Sequence, residues 1–175
     1  MAKNGFSFSN RVVVEAANPR DNPQLSIKDC GKILELSASV WPFGDTYNIE
    51  LPAHADVESG WNVTIVQNEA VVDETDGLVR ISDSNTAAKS FLGGVALHPT
   101  TPSDADPVIE SLYCTASIAD AATEMTLISS SATTGEFQLC GFGYPGTRVT
   151  ITRGASGWLI DGTIVTSGSM DTPFS

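Results

Sequence analysis

Apolar and polar residues alternate in short runs along this chain, and the runs are separated by turn chemistry. Ile33-Leu34-Glu35-Leu36 predicts a short strand. Tyr47-Asn48-Ile49-Glu50-Leu51 alternates and stops at Pro52, and Trp61-Asn62-Val63-Thr64-Ile65-Val66 alternates after Gly60. Leu78-Val79-Arg80-Ile81 follows the turn at Asp76-Gly77. A period of two sets one side of each strand on a core and the other in water. Val108 to Cys114 and Thr126-Leu127-Ile128 read as further strands.

The C-terminal third predicts two β-hairpins in series. Phe137-Gln138-Leu139-Cys140-Gly141-Phe142 runs into a turn at Tyr144-Pro145-Gly146. Arg148 to Arg153 then alternates, Gly154-Ala155-Ser156-Gly157 turns, and Trp158-Leu159-Ile160 returns. Only 116–125, rich in alanine, suggests one or two helical turns, and Thr123 and its strand-like flanks weaken that reading. Many short strands between turn signals predict an all-β fold, an antiparallel β-sandwich or a jelly-roll-like barrel.

Three regions follow from the punctuation. Residues 1–24 read as an extended N-terminal arm, with Phe6 and Phe8 alternating with serines, a β-prone Val12-Val13-Val14, and loop chemistry from Asn18 to Pro23. Residues 25–166 form the β-domain, with a loop-rich insertion at 82–107 that encloses the apolar run Phe91 to Leu97. Residues 167–175 are a C-terminal tail.

Charge sharpens this division. The chain of 175 residues carries a formal net charge of −12. Residues 1–32 hold five basic and three acidic side chains, a net +2, and the remainder holds four basic and eighteen acidic, a net −14. An acidic body repels nucleic acid and anionic lipid, so neither is expected as a partner. No apolar run approaches the ~20 residues of a membrane helix, and no apolar segment follows Met1-Ala2-Lys3-Asn4-Gly5 as in a secretory signal. A cytoplasmic site of synthesis is expected. Cys30, Cys114 and Cys140 are too few and odd in number for a disulfide framework, and Cys30 and Cys140 read as buried structural thiols.

The search for chemistry returns little. His54 and His98 lack metal-ligand spacing and sit near prolines, so both read as structural or merely exposed. There is no Gly-x-Ser-x-Gly nucleophile turn and no Gly-x-x-x-x-Gly-Lys phosphate loop. A glycosidase pair of carboxylates would need an aromatic-lined cleft, and aromatics make up 7% of the chain. Asp73-Glu74-Thr75-Asp76 and Asp104-Ala105-Asp106 could offer oxygens to calcium, but the Asp-x-Asp-x-Asp-Gly loop is missing and solvated acidic turns are expected. Asn62-Val63-Thr64 matches a glycosylation sequon inside a predicted strand and is set aside. Neither enzyme activity, cofactor nor metal is expected.

One pattern spans about two thirds of the chain. Asp29-Cys30-Gly31-Lys32 precedes an apolar strand, and Leu51-Pro52-Ala53 leads to Gly60-Trp61 and Val63-Thr64-Ile65-Val66. A Gly-rich 141–162 contains Val149-Thr150-Ile151, Trp158 and Gly162. This series resembles β-domains of tailed-bacteriophage virion proteins, head decoration or cement proteins and their tail-fibre relatives. The resemblance implies assembly without catalysis, often as a homotrimer. Its motifs are strand and turn residues, so no functional set carries over. What it implies here is a decoration protein on the outer capsid surface, stabilising the head lattice after assembly in a host cytoplasm. Its partners would be the major capsid protein and further copies of itself. The expected contacts come from the arm: Phe6, Phe8, Arg11, Val12, Val13, Val14 and Arg20. A tail-fibre or baseplate module binding a host glycan is the alternative, and a small carbohydrate-binding module a third.

Overall fold

The computed structural model describes residues 11–14, 24–36, 45–67, 77–83, 91–99, 112–116, 124–128 and 145–166. Their regular structure is almost entirely β. In chain order the strands are β1 (Arg11–Val14), β2 (Lys32–Leu36), β3 (Asp45–Glu50), β4 (Asn62–Gln67) and β5 (Gly77–Ser82). They continue with β6 (Phe91–Pro99), β7 (Leu112–Ala116), β8 (Glu124–Ile128), β9 (Arg148–Arg153) and β10 (Trp158–Thr166). A single 3-10 turn, Ile27–Asp29, precedes β2.

Two sheets result. The large one has the order β1-β2-β4-β9-β10-β6-β7, and the small one β3-β5-β8. Both are open rows among the described residues, not a closed barrel. The all-β class stands, but the pairing is mixed, not uniformly antiparallel. β1 with β2, β2 with β4, β10 with β6 and β3 with β5 are all parallel. The reason lies in the route of the chain. Parallel neighbours need a crossover between them. Here the crossover from β2 to β4 is β3, a strand of the other sheet, and the crossover from β3 to β5 is β4.

Two further expectations change. Phe91–Pro99, enclosed by a stretch that reads as a loop-rich insertion, is a nine-residue strand pairing along its whole length with β10. Its alternating Phe91, Val95 and Leu97 are fully buried, which is what draws it into the sheet. Glu124 and Met125, at the end of the candidate helical segment, belong to β8, and Ala116 at its start ends β7. The hairpin strand predicted at 137–142 and the tail at 167–175 lie outside the described residues.

The core forms on one face of the large sheet. Neighbouring inward positions run Leu34, Ile65, Val149 across β2, β4 and β9, then Val63, Ile151 and Ile160 across β4, β9 and β10. All six are buried. Burying such side chains contributes roughly 1.5–3 kcal/mol each. Gly162 faces Val149 in this stack. A Cβ there would collide with the Arg148 carbonyl oxygen, so only glycine lets β9 and β10 close up.

Candidate functional site

The 3-10 turn fixes the entry to β2. Ser26 caps it: its hydroxyl accepts from the Lys28 N–H at 3.3 Å and donates to Asp29 at 2.8 Å. Asp29 Oδ2 in turn accepts from the Ser26 N–H at 2.7 Å, which completes a capping box. Lys32 Nζ meets Asp29 Oδ1 at 2.7 Å. Burial alone would raise the Asp29 carboxyl. The Lys32 ammonium and the Ser26 donors outweigh it together and hold that pKa below its ordinary value. The turn is anchored from behind, because the buried Trp61 indole donates to the Ser26 carbonyl at 3.2 Å. The Gly31 N–H adds a bond to the Asn62 carbonyl at 2.7 Å.

β2 therefore sits rigidly on β4, and its other edge receives β1. Arg11, Val12, Val13 and Val14 pair in parallel with Ile33, Glu35 and their neighbours, in the register Arg11 to Ile33 and Val14 to Leu36. Four of the seven expected contact residues are thus brought together as the terminal strand of the large sheet. Phe6, Phe8 and Arg20 lie outside the described residues. On β2 itself, Leu34 points into the core while Ile33 is exposed. An edge strand offers unpaired backbone donors and acceptors to any further strand.

A second polar assembly lies inside the molecule. Trp158 is fully buried, and its indole N–H donates to Asp83 Oδ2 at 2.9 Å. His54 packs edge-on against Trp158, with ring centroids 5.4 Å apart, and Trp61 does so from another side at 5.7 Å. His54 Nε2 lies 3.1 Å from the Gly154 carbonyl, which requires that nitrogen to carry the hydrogen. Arg153 Nε closes the cluster by donating to the His54 carbonyl at 3.3 Å. His54 and Asp83 are both buried and joined to structural partners. The cluster joins the end of β5 to β10, holding the small sheet to the large one. Its members come from four separate stretches of chain. The sequence signals His54 and the two tryptophans but offers nothing that pairs Asp83 with Trp158.

Other candidates resolve as follows. His98 lies on β6 and is exposed. Cys30 is an exposed free thiol, a correction to the buried thiol expected from its apolar surroundings. It caps the 3-10 turn, where its backbone N–H turns back to Ile27 and its side chain faces outward. Asn62 makes a side-chain bond to the Gly60 carbonyl at 2.9 Å, a turn contact at the start of β4. Cys140 and the acidic stretches 73–76 and 104–106 lie outside the described residues. Among the described residues, no three His, Cys, Asp or Glu side chains gather as metal ligands. None of the helical structure described is long and apolar enough to cross a membrane.

Comparison with known proteins adds no relative: no family model, no curated protein and no solved structure matches the chain.

Proposed function

We propose that this chain is a virion structural protein, a capsid decoration or cement protein that binds the outer head lattice and stabilises it. The observation that carries the reading is the division of the molecule. The leading segment 1–24 holds three basic and two acidic side chains, a net +1, and contains the edge strand β1, while the strand-built remainder carries −13. The resemblance to phage virion β-domains supports the same role. The mechanism is mechanical. Strand addition supplies backbone hydrogen bonds without demanding a deep pocket. Repetition over a lattice multiplies weak contacts through effective concentration. The major capsid protein and further copies of this chain are the partners, and a homotrimer fits the threefold points such lattices offer.

The test is deletion of residues 1–24, followed by binding to heads that lack the protein. The truncated chain should lose most of its occupancy, on the order of 100-fold in apparent affinity if several arms act together. Unchanged decoration would remove the arm from the mechanism. Labelled antibody on intact particles separates head from tail, and labelling confined to the tail would replace this reading with the host-binding one.

A further inference from the structure

We draw no further inference here: the strongest candidate, the outer face of the large sheet, where Ile33 on β2 and Leu159 on β10 lie exposed, carries nothing because nothing in the structure shows what covers it.

Discussion

At Trp158, complete burial of an indole creates a demand for one acceptor, and Asp83 Oδ2 meets it at 2.9 Å. Asp83→Ala leaves that N–H without this partner inside the protein. An unmet buried donor costs roughly 1–3 kcal/mol, and urea denaturation should register a loss of that size. Asp83→Asn keeps an acceptor oxygen at the same reach and should recover much of it. Asp29 is the residue with a pH signature. Its carboxyl is held below the ordinary value by Lys32 and Ser26 despite burial. A depressed folded-state pKa contributes stability that is present above the unfolded value of about 3.9 and is lost as pH falls through the lower folded value. Asp29→Asn should therefore be less stable than the parent at neutral pH. The difference should shrink in acid, as thermal unfolding at stepped pH would show.

At the scale of the element, β9 and β10 show how close approach constrains a hairpin. A Cβ at Gly162 would collide with the Arg148 carbonyl oxygen and lie 2.8 Å from Val149 Cα, both backbone atoms that cannot swing aside. Gly162→Ala should destabilise by about 1–3 kcal/mol or more, the range of overpacked cores. Gly146→Ala meets only the tip of Val165 but is strained by its φ of 102°. The outer face of the same sheet is polar where strands meet. Thr64 and Thr150, opposite each other on β4 and β9, share a hydroxyl hydrogen bond of 3.0 Å. The elements most easily read from sequence were those whose alternation is complete, β4 and β9. β6 was harder, because Gly93-Gly94 interrupts its pattern and polar loops flank it.

For the whole molecule, the division into arm and body makes a direct prediction. Chains lacking residues 1–24 should keep the far-ultraviolet circular dichroism of a β protein and unfold cooperatively. Of the strands that carry the core, β2, β4, β9, β10 and β6, only β2 pairs with β1. Loss of cooperative unfolding would show that β1 is part of the stable body and not its appendage.

The amino-acid sequence alone settled the all-β class and the positions of most strands, because these depend on local alternation and turn chemistry. It also marked Val12-Val13-Val14 as a β-prone run in an extended arm, which the structure places in the edge strand Arg11–Val14. Which strands become neighbours was decided only by the tertiary structure. Parallel pairing of β2 with β4 depends on β3 crossing to another sheet, a relation between segments that no local pattern encodes. The Asp83–Trp158 bond, spanning 75 positions, and the outward turn of Cys30 belong to that same level. Both follow from where a side chain lies once distant strands have met, and an alternating pattern carries only which side of its own strand it occupies.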